Sequence, residues 1–152
     1  MKKIAIIAAL MSVMAMPALF AQNNIYIANP QGNAVSTYKN ALHNYFNEVL
    51  GSFTEFQLTN SVAADSLSQV LTIDRNMRKV SSQYITAVTN LTGVDYIIYT
   101  IIDERNGRLN IEAIRINCSD GSLDRMLSQS ISRNVQEIRI ITQVFAKQLM
   151  YR

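Results

Sequence analysis

The stretch Val94–Asn117, VDYIIYTIIDERNGRLNIEAIRIN, decides the fold, because it has the pattern of two long β-strands joined by a tight turn. The turn is Asn106-Gly107, the dipeptide that most readily adopts the positive φ angles of a two-residue hairpin loop. Nearly every residue from Tyr96 to Ile102 is apolar, and many are β-branched or aromatic, which is typical of a strand covered on both faces. The sequence therefore predicts a hairpin inside a sheet rather than at its edge.

The position of the turn also predicts the register of the hairpin. If Arg105 faces Arg108, the pairs further along are Ile102 with Ile111, Tyr99 with Ile114, and Ile97 with Ile116. The second strand has apolar residues on one face near the turn (Leu109, Ile111, Ala113) and on the other face beyond it (Ile114, Ile116, Cys118). This switch indicates either a bulge near Ala113-Ile114 or a change in which face of the strand is covered.

The amino terminus has the pattern of a secretory signal peptide. Lys2 and Lys3 precede an apolar run, and the segment Pro17–Ala21 ends on a small residue, which predicts a cleaved segment 1–21 with cleavage between Ala21 and Gln22. A membrane anchor is the alternative, but the apolar run is of marginal length for a span. We expect a periplasmic or secreted protein that is soluble after cleavage and has no membrane span in the mature chain. No cysteine follows the apolar run to carry a lipid.

Charge and cysteine content limit the classes of function. The chain has 14 Lys+Arg and 11 Asp+Glu, and two of the basic residues lie in the leader, which leaves 12 against 11 in the mature chain. This balance gives no basis for nucleic-acid binding. The one cysteine cannot form an internal disulfide, so stability must come from packing. Residues 22–152 are enough for a single α/β domain with a substantial core.

The residues before the hairpin predict a βαβ unit followed by helices. Ile25–Asn29 and Phe53–Leu58 are strand candidates, and a helix from Ser36 or Thr37 to about Leu50 lies between them, which implies parallel pairing with a right-handed crossover. Helical patterns follow at Ser61–Arg75 and Ser82–Leu91. The charged residues between them, 74–79, fit either a solvated bend or a continuous exposed helix face.

The residues after the hairpin predict one open segment and a final helix. Leu123–Ile131 fits either a helix or a short edge strand, and residues 122–131 stay undecided at this stage. Asn134 is a good helix cap, and Glu137 three residues later completes a capping-box pattern. The helix should run from Val135 to about Tyr151. Its predicted inward residues are Val135, Ile138, Ile141, Val144, Phe145 and Leu149.

Two short motifs support a family resemblance. One is Gly93-Val94-Asp95-Tyr96, where a helix ends and the central strand begins, and the other is the turn Ser119-Asp120-Gly121. With the element order, they resemble the domain shared by the curli secretion channel family (CsgG-like), the TolB amino-terminal domain and the LpoB-type activators of penicillin-binding proteins. The resemblance implies a two-layer α/β sandwich with helices packed on a mixed, mostly five-stranded sheet of order 2-1-3-4-5, in which strands 3, 4 and 5 are antiparallel. It also implies non-catalytic work in the cell envelope.

The residues with reactive side chains do not form a recognisable site in the sequence. His43 has no histidine or cysteine neighbour, and Cys118 on an inward strand position is typical of a small buried residue. Asp103, Glu104 and Glu112 near the hairpin turn have the pattern of solvated charges, although a carboxylate pair in a cleft could hydrolyse a polymer. We therefore assign no catalytic, cofactor-binding or metal-binding residue and expect no cofactor. The seven tyrosines are enough for an aromatic contact patch, which stays unassigned.

Three hypotheses for function remain. The first is a non-enzymatic exported binding or assembly module of the bacterial cell envelope that acts through protein–protein contacts with an envelope partner. The second is a small envelope-polymer hydrolase with a carboxylate or Cys118-based site. The third is a structural protein that self-associates into a homo-oligomer through the segment before Asn134.

Overall fold

The computed structural model describes residues 22–151, and the predicted signal peptide, with its cleavage after Ala21, lies outside them. The elements follow in the order β1 (Asn23–Ile27), α1 (Ser36–Gly51), β2 (Phe56–Leu58), α2 (Val62–Val70), β3 (Ile73–Asp74), β4 (Lys79–Val80), α3 (Ser82–Thr89), β5 (Tyr96–Arg105), β6 (Arg108–Asn117), β7 (Leu123–Ser132) and α4 (Val135–Met150).

Five strands form one mixed sheet in the order β2-β1-β5-β6-β7. β1 is parallel to β2 and β5, whereas β5, β6 and β7 are antiparallel. The mixed α/β class is confirmed, and counting only the strands of this sheet gives the predicted order 2-1-3-4-5. β3 and β4 form a separate two-stranded sheet that the sequence did not predict. The predicted helix Ser61–Arg75 was wrong at its end, because α2 stops at Val70.

The central hairpin has the predicted register. Ile102 pairs with Ile111, Tyr99 with Ile114, and Ile97 with Ile116. Asn106 and Gly107 take φ angles of 53° and 71°, the positive values that a two-residue loop needs. Ile97 and Ile98 are both fully buried, as expected for a strand that is covered on its two faces.

Helices cover both faces of the sheet, which adds a third layer to the predicted two-layer sandwich. On one face, α1 and α4 pack on a cluster that includes Ile98, Ile111 and Ala113. On the other face, α2, α3 and the β3-β4 hairpin pack on a cluster that includes Ile97, Ile114 and Cys118. The switch within β6 is therefore a change of coverage. Pairing with β5 is continuous at Ala113-Ile114, and the irregularity lies between β6 and β7, where Arg115 pairs with Arg125 and Ile116 with Leu123.

The carboxyl-terminal part of the chain forms a strand followed by a helix. The undecided segment is strand β7, and Asn134 caps α4 by accepting a hydrogen bond from the Gln136 N–H at 2.8 Å. Val144, predicted to face inward, is instead 42% exposed, while Thr142 is fully buried. Thr142 tolerates burial because its hydroxyl donates to the Ile138 carbonyl at 2.7 Å.

Candidate functional site: an open sheet edge beside an apolar helix face

The outer edge of β7 is open along most of its length. β7 has ten residues, and within residues 22–151 only β6 pairs with it as a neighbouring strand. In the two-residue hairpin, Arg108 exchanges its backbone hydrogen bonds with Arg105 of β5. Because the direction of these bonds alternates along an antiparallel strand, the odd-numbered residues of β6 from Leu109 to Arg115 bond to β7. Their partners on β7 are also odd-numbered. The backbone groups of Met126, Ser128 and Ser130 therefore point outward, away from the sheet.

The usual defences of an edge strand lie toward the two ends of β7. The irregularity and the charged residues Asp124 and Arg125 lie at its start, while residues 126–132 contain neither a charge nor a proline. Proteins generally protect exposed edges with charges, prolines, bulges or a covering element, because unpaired strand edges pair with other chains. Residues 126–129 lack the first three of these protections, whereas at Ser130 the Arg108 guanidinium donates to the backbone carbonyl at 3.0 Å.

An apolar face of α4 adjoins this edge. Ile140 is 61% exposed and Val144 is 42% exposed, and they lie four residues apart on one side of the helix. The ion pair of Arg139 with Glu48 turns one flank of α4 toward α1, and the contact of Glu137 with Ser132 turns the opposite flank toward β7. At 100° per residue, Val144 lies on the Glu137 flank and Ile140 lies next to it on the outer side. We call β7 residues 126–131 with Ile140 and Val144 the edge surface.

The corner between β7 and α4 holds the two parts of the edge surface together. The Glu137 carboxylate accepts hydrogen bonds from the Ser132 N–H, at 3.0 Å, and from the Ser132 hydroxyl. These hydrogen bonds lower the pKa of Glu137 below its ordinary value. The predicted capping box differs in one respect. The Glu137 side chain accepts from the backbone N–H of Ser132, two residues before the cap, instead of from the N–H of Asn134.

The carboxylates near the hairpin turn each have a structural partner. Asp103 accepts a hydrogen bond from the Asn33 N–H at 2.8 Å, and Glu104 pairs with Arg133 at 3.2 Å. Glu112 forms a bidentate pair with Arg75 of the β3-β4 turn. An acid–base pair needs carboxylates directed at a shared substrate position, and these side chains are directed at other parts of the protein.

Cys118 and His43 are not brought together. Cys118 is 5% exposed and lies at the amino-terminal end of β5, where its N–H donates to the Asp95 carbonyl at 2.9 Å. Burial raises the pKa of its thiol to about 12, with the Asp95 charge acting in the same direction, so the thiolate is disfavoured. His43 lies on α1 and lines a crevice beside the carboxyl end of β1.

The tyrosines do not form one contact patch. Tyr99 is buried and its hydroxyl donates to the Leu71 carbonyl at 3.3 Å, while Tyr96 lies under the Arg115 guanidinium at 4.9 Å. Tyr151, which is 41% exposed, packs with Phe53 and Phe56 beside the short edge strand β2, with ring centroids 5.2 and 6.1 Å away. This small aromatic cluster was not predicted, because its members are about 100 residues apart in the chain.

The sequence missed the edge surface as a whole. One signal was available, since Ile138, Ile140, Ile141, Val144 and Phe145 occupy more of the helix circumference than a single buried stripe needs. Within residues 22–151 no group of three or more His, Cys, Asp or Glu side chains could hold a metal ion. None of the helices in that range is long and apolar enough to cross a membrane.

Comparisons with known proteins identify the fold. PelC from Paraburkholderia phytofirmans, which was solved as a dodecamer, matches with a TM-score of 0.57 and 9% identity over 90% of this chain and 93% of its own. The lipoprotein GNA1162 from Neisseria meningitidis matches with a TM-score of 0.53 and 11% identity over 82% and 94%. The LpoB carboxyl-terminal domain from Escherichia coli matches with a TM-score of 0.50 and 11% identity over 83% and 94%. No family model and no curated protein sequence matches the chain.

At these identities the likeness concerns the fold alone. The LpoB-like and TolB-like fold expected from the element order and the two short motifs is confirmed. Membership of the curli secretion channel family stays a prediction, as do export and the cleavage site. Of the structures named above, GNA1162 is a lipoprotein and PelC is a dodecamer.

Proposed function

We propose that this protein is a non-enzymatic, exported assembly module of the bacterial cell envelope that acts through protein–protein contacts. The edge surface is the observation that carries the proposal, since it combines unpaired backbone groups with exposed apolar side chains. The lysine-led leader and the fold shared with LpoB and GNA1162 support the envelope as the place where it acts.

The chemistry of the edge surface selects one kind of partner. The outward N–H and C=O groups of Met126 and Ser128, and the outward N–H of Ser130, can form the ladder hydrogen bonds of an added strand. The Ser130 carbonyl already accepts from the Arg108 guanidinium at 3.0 Å. Each ladder hydrogen bond contributes about 0.5–1.5 kcal/mol net. An added strand also passes the Val144 flank of α4, where it can bury apolar side chains at about 25 cal/mol per Å². The partner is therefore an extended segment of an envelope protein with apolar residues at alternate positions.

Substitution of Ser128 tests the added strand. Proline at this position removes an outward N–H but no hydrogen bond to β6, so the fold should survive, as it does for prolines on natural edge strands. Ser128→Ala is the matched control, because it also removes the hydroxyl and keeps the N–H. Unchanged far-ultraviolet circular dichroism of both variants would show that the sheet is intact.

Photocrosslinking in cells then reports the partner. A photoreactive amino acid at Val144 should yield a specific adduct in the Ser128→Ala background and lose it in the Ser128→Pro background. The same probe at exposed Gln83, on the helix layer of the opposite sheet face, should yield no such adduct. An identical adduct in both backgrounds would rule out strand addition at this edge. The mass of the protein from the exported fraction would test cleavage before Gln22.

Self-association through the same edge is a second candidate, favoured by the open strand and by the dodecameric state of PelC. Two copies of β7 would pair antiparallel and extend the sheet across the interface. Light scattering at high concentration should then give an oligomer that Ser128→Pro dissolves. A monomer at every concentration would exclude this candidate and leave the heterologous partner.

The hydrolase alternative has no comparable support. Asp103 and Glu112 are engaged with Asn33 and Arg75, and the thiol of Cys118 is buried. An envelope-polymer hydrolase activity that Cys118→Ala or Glu112→Gln abolishes would overturn the non-enzymatic assignment.

A further inference from the structure

A crevice opens at the carboxyl ends of the neighbouring parallel strands β1 and β2. The chain leaves β1 toward α1 on one face of the sheet and leaves β2 toward α2 on the opposite face. Where connections diverge in this way, open α/β sheets form the crevice in which they bind ligands. The crevice has a volume of about 520 Å³, which lies within the range of about 300–1,000 Å³ that small-molecule sites occupy.

Polar groups from three separate elements converge on this crevice. Asp65, in the first turn of α2, accepts hydrogen bonds from the Tyr26 hydroxyl at 2.8 Å and from the Asn29 side-chain amide at 3.3 Å. His43 of α1 also lines the crevice. Its Nδ1 is shielded from solvent and has no hydrogen-bond partner among residues 22–151. Asn60, in the β2–α2 loop, is exposed at the rim.

The protonation of Tyr26 keeps this network in one arrangement. Burial raises the pKa of Tyr26 to about 12, and the hydrogen bond to Asp65 acts in the same direction. The hydroxyl therefore stays a donor to Asp65 at physiological pH. The carboxylate is held in place by neutral groups and keeps acceptor capacity for a ligand hydroxyl.

The charges at the crevice argue against an ionic ligand. The residues that line it include no lysine and no arginine, and Asp65 would repel a phosphate or a carboxylate. Asp65 forms no ion pair within the described range, and its second oxygen accepts from the Gln69 amide at 3.4 Å. Three neutral donors already bind this carboxylate, so it has room for one further donor, such as a hydroxyl, rather than for the three N–H groups of an ammonium. A neutral ligand that both donates and accepts hydrogen bonds suits the site better.

The crevice also offers apolar contact beside the polar groups. Ile27 and Leu58 lie in its wall, and Val62 at the start of α2 is 85% exposed next to them. A sugar ring combines the same two kinds of surface, since it has polar hydroxyls around its rim and apolar C–H groups on its faces. We infer that the crevice is a binding site for a neutral saccharide, whose hydroxyls contact Asp65 and Asn60 and whose C–H face lies on Val62. This site is separate from the edge surface and does not depend on the proposed function.

Nuclear magnetic resonance titration of the protein purified from full-chain expression tests the inference. The probes are the neutral trisaccharide of N-acetylglucosamine, the cationic trisaccharide of glucosamine and the anionic trisaccharide of galacturonic acid. The neutral probe should shift the amide signals of residues 59–62 and Asn29 in the millimolar range, and the anionic probe should leave them unchanged.

Two variants separate the site from a general surface effect. Asn60→Ala removes an exposed amide that forms no hydrogen bond within the described residues, so the fold should be unaffected, and affinity should fall roughly fivefold, as for one lost hydrogen bond. Asp65→Asn keeps the shape and removes the charge, and it should also weaken the neutral probe. Asn76→Ala, on the exposed β3-β4 turn, is the matched control.

Each outcome of the titration decides the matter. Loss of affinity in Asn60→Ala and Asp65→Asn, with Asn76→Ala unchanged, would establish the saccharide site. Tighter binding of the glucosamine probe would replace it with a site for cationic ligands. Binding that none of the three substitutions changes, or no shift with any probe, would overturn the inference.

Discussion

Replacement of Gly32 by alanine tests how the loop after β1 is attached to the central strand. Gly32 has a φ of 102°, and its neighbours bond directly to β5: the Gln31 N–H donates to the Thr100 carbonyl at 2.9 Å and the Ala34 N–H to the Ile102 carbonyl at 3.1 Å. A Cβ at Gly32 would lie 2.8 Å from the Ile102 carbonyl carbon and would overlap its oxygen. The backbone of this loop cannot move away from β5 without breaking these hydrogen bonds.

The magnitude follows from two separate costs. Alanine in a left-handed conformation costs about 1–2 kcal/mol, and forcing an extra methyl group into packed structure costs about 1–3 kcal/mol more. Gly32→Ala should therefore lose about 2–5 kcal/mol of the free energy of unfolding, a large part of the stability of an ordinary domain. Gly93 is the matched control, since its φ of 71° is also positive but nothing lies within 4 Å of an added Cβ. Gly93→Ala should lose only the first cost, about 1–2 kcal/mol.

Urea denaturation followed by circular dichroism measures both losses by linear extrapolation. The difference between the two variants isolates the contact of Gly32 with Ile102. Equal losses, or a smaller loss in Gly32→Ala, would show that the loop does not lie against β5 as described and would refute the reasoning.

Three further predictions use other parts of the molecule. Asn134→Ala removes the cap of α4 and should cost about 1 kcal/mol, whereas Asn44→Ala, exposed in the middle of α1, should cost nothing measurable; equal losses in urea denaturation would contradict the cap. Cys118 should react slowly with a thiol reagent at mildly alkaline pH and much faster in urea, because burial raises its pKa to about 12; rapid labelling of the folded protein would contradict the burial. Glu137 has a lowered pKa in the fold, so its contribution to stability is present above its ordinary value near 4.5 and is lost as the pH falls through the lower folded value. Glu137→Gln should therefore show a weaker acid dependence of unfolding than the natural protein, and identical curves would contradict this role.

The parts of the fold that depend on local chemistry could be predicted from the sequence. Asn106-Gly107 specifies both the turn type and the pairing register, because the period of two leaves one register that buries Ile111 and Ile114 on covered faces. Asn134 likewise identified the start of α4 through local chemistry. Its side chain accepts from the N–H of Gln136, which has no carbonyl partner within the helix.

The end of α2 could not be predicted from apolar spacing. The spacing of Leu67 and Leu71 fits a helix that continues, yet the chain turns extended at Leu71, with ψ at 134°, and forms the β3-β4 hairpin. Asp74 accepts from the Met77 N–H at 2.9 Å in the turn, and Arg78 takes a φ of 50°. Such turn chemistry was a weaker signal than the periodicity before it.

The candidate sites were beyond the sequence for a different reason. Val144 fits an inward stripe, and only the position of α4 over the sheet, fixed by its contacts with α1 and β7, turns it outward. The crevice joins Tyr26, His43 and Asp65, which meet only because β1 and β2 are parallel and their connections diverge. The spacing of residues along the chain does not show which distant side chains come into contact in the fold.

The placement of β1 has a consequence for how the polypeptide is made. β1 precedes the other strands of residues 22–151 in the chain, yet it pairs on one side with β2 and on the other with β5, where Ile27 pairs with Ile98. About seventy residues must be added before that second ladder can close. Throughout that interval the apolar side chains of Ile25 and Ile27 have no β5 beside them, and exposed apolar surface of this kind makes an incomplete chain prone to aggregation.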